Sequence, residues 1–195
     1  ITYGDWSSDV CSSDLSAMPF HDGATVPLRG VEHRIVHRPG VRGTVWHEDG
    51  IDGVRLLCVA GEVPHIDRRV GDFLRREALR DLEAASHRAA GQLGVAVKRV
   101  SVRDQSSRWG SCSTTGVLSY SWRLILAPPF VLDYLAVHEV AHLVEMNHSP
   151  RFWRLVMAIC PDVHRAKAWL DAHGNDLHRY GVTGEAGIPA EPGLV

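Results

Sequence analysis

The chain has 195 residues, 45% of them hydrophobic, and carries 21 Lys and Arg against 23 Asp and Glu for a formal charge of −2. That length supports one well-formed core, at about 100–200 residues per domain, and the charge balance gives no global basic field for nucleic acid. No stretch approaches the roughly 18 apolar residues of a membrane span and no secretory leader is recognisable, so a cytoplasmic protein with no membrane partner is expected.

The first fifteen residues, ITYGDWSSDVCSSDL, share neither periodicity nor composition with the rest of the chain. Asp5 to Leu15 resembles the translation of a sequencing-adapter oligonucleotide, so residues 1–15 are expected to be an artefactual or disordered leader. Residues 16–180 read as one domain. From His33 to Ala60 the runs HRIVHR, GTVWHE and GVRLLCVAG, broken at Pro39-Gly40, Gly43 and Asp49-Gly50, predict antiparallel strands joined by tight turns. Between Pro64 and Gly91, apolar residues at Val70, Phe73, Leu74, Ala78, Leu79 and Leu82 have helical spacing. Val95–Val102 and Val117–Leu126 alternate like strands around the polar loop SSRWGSCSTTG. A helix over Phe130–Met146 follows Pro128-Pro129. Ser149-Pro150 caps a second over Arg151–Ile159, and Pro161-Asp162 starts a last one ending before Gly174. Strands first and helices last define an α+β fold, and residues 181–195 read as a disordered tail. Cys11, Cys58, Cys112 and Cys160 form no C-x-x-C pair, which predicts reduced, buried thiols.

The chemistry concentrates in FVLDYLAVHEVAHLVEMNHS, where H-E-x-x-H lies in an apolar helix. Residues four apart share a helix face, so His138 and His142 can both reach one metal ion while Glu139 stands beside them as a general base. Imidazole ligands and an open coordination position suit one catalytic Zn2+. Glu145 and His148 compete to be the third ligand. Glu145 lies about 10 Å along the axis from His138 at about 1.5 Å per residue, which favours His148, reached by a chain reversal at Asn147 in the left-handed conformation. Glu145 then becomes an acceptor for a ligand imidazole N–H. The spacing from His142 to His148 is that of metzincins, with Glu145 in place of their glycine. Arg108 and Arg123 are candidates to contact substrate or transition state, or else to pair with acids such as Asp104 and Asp133. Cys112 reads as a buried thiol, and Trp153 as core beneath the metal.

The runs RWGSCSTTGVLSYSWRLILAP, VLDYLAVHEVAHLVEMNHSPRFWRLV and PDVHRAKAWLDAHG identify a wider likeness. From about Val26 to Tyr180 the chain resembles the YgjP-like metallopeptidases, relatives of the SprT-type zincins. The resemblance implies a zincin-like α+β fold, zinc ligands at His138, His142 and His148, and a catalytic Glu139. Ser121 stands where many members have Asn before the tryptophan. Three functions are weighed: a zinc metallopeptidase acting on peptide or protein; a metal-dependent nucleoside triphosphate pyrophosphatase using both arginines; and a non-catalytic zinc-stabilised binding module. The absence of a carboxylate cluster for Mg2+ counts against the second. Near-neutral charge and the intact Glu139 count against the third.

Overall fold

The computed structural model describes residues 17–51, 53–105 and 107–181, so the expected leader, and the expected tail beyond Gly181, lie outside the described residues. The chain opens with a four-stranded sheet of β1 (Thr25–Leu28), β2 (Val31–Arg38), β3 (Val45–Asp49) and β4 (Arg55–Ala60), ordered β1-β2-β4-β3. Two of its three pairings are antiparallel as expected, but β4 runs parallel to β2. The physical reason is that β3 takes the outer edge, and β4 returns into the gap beside β2. There Ile35, Leu57 and Val59 bury one face. β1 escaped the sequence reading because four residues including Pro27 give almost no alternation.

The two-residue turn between β1 and β2 ties this sheet to the rest of the molecule. Arg29 is held at a left-handed φ of 53°. Its N–H donates to Ile125 O at 2.7 Å, and its guanidinium reaches Glu77 at 2.8 Å and Asp81 at 2.7 Å. Gly30 follows at φ 74°, and a Cβ there would come within 2.9 Å of Pro128.

The predicted amphipathic helix is α1 (Ile66–Leu93), which buries Val70, Leu74, Ala78 and Leu82 and stops at Gly94 in the left-handed conformation. A second sheet follows, of β5 (Arg99–Arg103), β6 (Gly110–Cys112) and β7 (Val117–Ser121), ordered β5-β7-β6. β5 is parallel to β7 and β6 antiparallel to it, so the RWGSC segment, expected as loop, supplies the sheet's open edge. The strand expected over Val117–Leu126 ends at Ser121, where its pairing with β5 stops. Trp122–Leu126 then coil into a 3-10 turn with all five side chains buried, a packing that a half-exposed strand cannot give.

Three helices complete the fold: α2 (Pro129–Ala141), α3 (Pro150–Ile159) and α4 (Val163–Leu177). α2 packs against α1, α3, α4 and β6, which explains why its apolar residues do not keep to one stripe. α4 runs past Gly174, where it was expected to stop. The glycine leaves room for a neighbour, since a Cβ there would lie 3.2 Å from Cζ2 of Trp109. Among the described residues, no helix is long and apolar enough to cross a membrane.

Candidate metal centre

α2 ends at Ala141 with His142 as its C-cap, five residues short of the expected Met146. Leu143, Val144 and Glu145 continue as turns that donate back to Val140 and Ala141. The left-handed conformation expected at Asn147 does not occur, because Arg29 is the only non-glycine with positive φ among the described residues. The chain reverses instead through Ser149 N–H donating to Asn147 O at 2.7 Å. Ser149 then caps α3, its hydroxyl accepting from Phe152 N–H at 3.3 Å, with Pro150 in the first turn. The sequence N-H-S-P thus places His148 just outside a new helix, facing the end of the old one.

The result brings His138, His142 and His148 together, one nitrogen from each lying within 4.8 Å of the others. Nε2 of His138 and Nε2 of His148 are 3.0 Å apart. Tetrahedral zinc with Zn–N of about 2.0–2.1 Å sets its ligand nitrogens about 3.3 Å apart, so the donor set fits such an ion. Nδ1–H of His142 donates to the backbone carbonyl of Glu145 at 3.2 Å, which leaves its Nε2 lone pair for a metal. The expected acceptor role of Glu145 therefore falls to its carbonyl. Its carboxylate lies 3.9 Å from Arg151 and outside the histidine cluster.

Phe152 and Trp153 fix the imidazole planes. Phe152 stacks on His142 with centroids 4.6 Å apart and meets His148 edge-on at 4.8 Å, while Trp153 stacks on His148 at 5.9 Å. Burial, reinforced by the other two histidines and Lys167, pushes His138 down to about 3. Its ring is therefore neutral at physiological pH, the form that coordinates metal.

Glu139 is 5% exposed. Burial pushes its carboxyl up to about 8, against the pull of Arg108. Gly110 of β6 lies directly over it, and a Cβ at that glycine would fall 2.5 Å from Oε1. A cleft of about 620 Å³ opens between the β6 segment and the three histidines, walled by Arg108, Trp109, Gly110, Cys112, Leu135 and Met146 among others. Trp109 is anchored from behind by α4, stacking on His178 with centroids 4.7 Å apart and lying over Gly174. Ser121 N–H donates to Trp109 O, and Ser113 N–H to Val117 O, each at 2.9 Å. By antiparallel alternation the backbone groups of Gly110 and Cys112 turn away from β7, towards the open edge.

The two candidate arginines separate. Arg108 is exposed on the cleft wall. Arg123 does not reach it: the side chain is buried, paired with Asp104, bonded to Tyr180 O at 3.1 Å and laid over Trp122 at 4.7 Å. Asp133, the other acid expected as an arginine partner, pairs instead with Arg88 at 2.8 Å. Cys112 lines the cleft as a half-buried thiol, raised to about 11 by burial and by Glu139. The roles of Gly110 and of the Trp109–His178 stack were missed from sequence. A three-residue strand has no periodicity to read, and the only signal was the motif containing it.

The family model for the YgjP-like metallopeptidase domain matches residues 10–173. The chain belongs to the YgjP-like family. Within this family assignment the chain is a metallopeptidase, and the three histidines are the group in the described residues able to hold its ion. No curated relative matches. The crystal structure of the metallopeptidase zymogen of Pyrococcus abyssi abylysin is similar over 52% of this YgjP-like chain and 99% of its own, at 27% identity and a TM-score of 0.43.

Proposed function

We propose that this YgjP-like protein is a zinc-dependent peptidase in which His138, His142 and His148 hold one Zn2+ and Glu139 is the general base. The observation that carries the reading is a buried carboxylate beside three converging imidazoles at the floor of an open cleft. Three nitrogen donors, with no fourth protein ligand among the described residues, match catalytic rather than structural zinc. Bound zinc supplies Lewis-acid polarisation of the scissile carbonyl and a water acidic enough to ionise near neutral pH. With the ion in place, its positive charge would favour the ionised carboxylate, and Glu139 would take a proton from the attacking water on a carboxylate oxygen and pass it to the leaving amine nitrogen. The Glu145 carbonyl holds His142 in its ligating tautomer, and Phe152 and Trp153 prevent the rings from turning.

The substrate lies extended along β6. β7 is central in its sheet, so the backbone groups open to a peptide are those of Gly110 and Cys112 on β6. Peptide is favoured over nucleoside triphosphate because the phosphate clamp needed both arginines, and Arg123 is committed to Asp104 and Tyr180. The test incubates zinc-loaded protein and its Glu139→Gln variant with a denatured-protein mixture and, separately, with nucleoside triphosphates. The expected result is protein fragments from the wild type and a loss of about 10²–10⁴-fold in the variant, with zinc content unchanged. Equal cleavage by both proteins, or triphosphate hydrolysis alone, overturns the reading.

A further inference from the structure

We propose that Arg108 selects substrates bearing a carboxylate within about two residues of the cleaved bond, from an Asp or Glu side chain or from a free C-terminus. The inference rests on the peptidase reading above and adds the chemical class of substrate.

Its ground is a contrast among the arginines. Arg29 is spent on Glu77 and Asp81, Arg88 on Asp133, and Arg123 on Asp104. Arg108 forms no ion pair among the described residues, although it sits on the cleft wall. Among the described residues of that wall it is the single Lys or Arg, and Glu139 is the single carboxylate. With a divalent ion on neutral imidazoles, one carboxylate and one guanidinium, the cleft is net positive and carries no acid free to repel an anionic substrate.

Position along the chain sets the reach. Arg108 stands on the cleft wall two residues before Gly110, the first residue of β6, and the chain bends at Trp109 between them. Gly110 lies over Glu139, and the charge of Arg108 is felt at that carboxyl. Two residues of chain span at most about 7 Å, so Arg108 stands within roughly two substrate residues of the position opposite Gly110. A guanidinium there presents a planar fork that matches a carboxylate in two parallel hydrogen bonds. The other wall groups nearby, Leu135, Met146 and Trp109, offer apolar contact and no competing charge.

The experiment uses zinc-loaded full-length protein and matched peptide pairs. In each pair Asp or Glu is replaced by Asn or Gln at one position within three residues of the cut, or a C-terminal acid by its amide. The expected result is a kcat/KM ratio of acid to amide on the order of tenfold for the wild type, near one in Arg108→Gln and inverted in Arg108→Glu. The pair type that shows the ratio, internal or terminal, identifies the source of the carboxylate. An acid–amide ratio of one in the wild type, or one unchanged in Arg108→Gln, overturns the proposal. If the wild type cleaves no peptide, the peptidase reading fails on its own. Calorimetric binding of the same pairs to zinc-loaded Glu139→Gln protein then decides: an acid preference abolished by adding Arg108→Gln upholds the carboxylate site, and equal binding of acid and amide removes it.

Discussion

The metal cradle and the rim that faces it are assembled over very different distances along the chain. The cradle comes from one stretch, His138 to Trp153, in which a helix end, a reversal at Asn147 to Ser149 and a capped helix start bring the three imidazoles together. The rim joins Trp109, just before β6, and Gly110 on it to Glu139 on α2, to Gly174 on α4 and to His178 at its C-cap. A cradle built locally is set by caps and turns. A rim built from remote parts is set by packing, so its geometry depends on residues that never meet the metal. Breaking the cradle should therefore cost metal, whereas breaking the rim should cost turnover with the metal retained.

The largest effect is expected at His148. His148→Ala removes the ligand that the chain reversal supplies, and zinc affinity measured by competition with a chromophoric chelator should fall by more than about a hundredfold, the upper end of what loss of an outer-shell partner costs. The fold should survive metal-free, because the aromatic and aliphatic core around α1 and α2 is independent of His148. Unchanged zinc content would shift the third-ligand role to Glu145 and break the contrast at its root.

The same division explains what was legible in the sequence. His138, Glu139 and His142 follow from helix periodicity, and His148 from reach, since all lie within eleven consecutive residues. The capping of α3 was equally visible, because Ser149-Pro150 is a local signal. The Trp109 contact with Gly174 was not. A glycine in a helical pattern reads as a stop, and only the tertiary fold shows that α4 continues because an indole needs the space. Arg108 and Arg123 were indistinguishable for a related reason. Their neighbours in sequence are similar, but one precedes an edge strand and the other enters a buried 3-10 turn. Strand direction in the first sheet also depends on a remote choice, the return of β4 beside β2.

Gly110→Ala sharpens the comparison from the rim side. The added methyl would fall 2.5 Å from Oε1 of Glu139 and 2.8 Å from its Cδ. Either β6 lifts or the carboxylate turns aside, and a displacement of about 1 Å of a catalytic group costs on the order of a hundredfold in rate. Zinc content should match the wild type, as the three atoms nearest the new methyl all belong to Glu139 and not to a histidine. Full activity on protein substrate would show that the height of β6 over Glu139 does not matter to catalysis. Parallel loss of zinc would show that cradle and rim are one unit.

The smallest effect concerns the ties that hold the end of α4, and through His178 the back of Trp109. Arg123 bonds Tyr180 O just beyond the helix and pairs with Asp104. Burial pushes the Asp104 carboxyl up, but the hydrogen bond and charge of Arg123 outweigh it and hold the group below its ordinary value. A carboxylate whose folded pKa is depressed stabilises the protein above its unfolded value of about 3.9, and that contribution is lost as pH falls through the folded value. Asp104 is half exposed, which discounts the pair to less than about 1 kcal/mol. Asp104→Asn should therefore lower Tm at pH 7 by about 1–4 °C, and the difference from wild type should shrink as the pH is taken below about 3.9. A deficit that persists undiminished in acid would mean that the amide disturbs packing at the end of α4 rather than removing a charge. The rim would then be held by shape alone, and its geometry would be insensitive to pH.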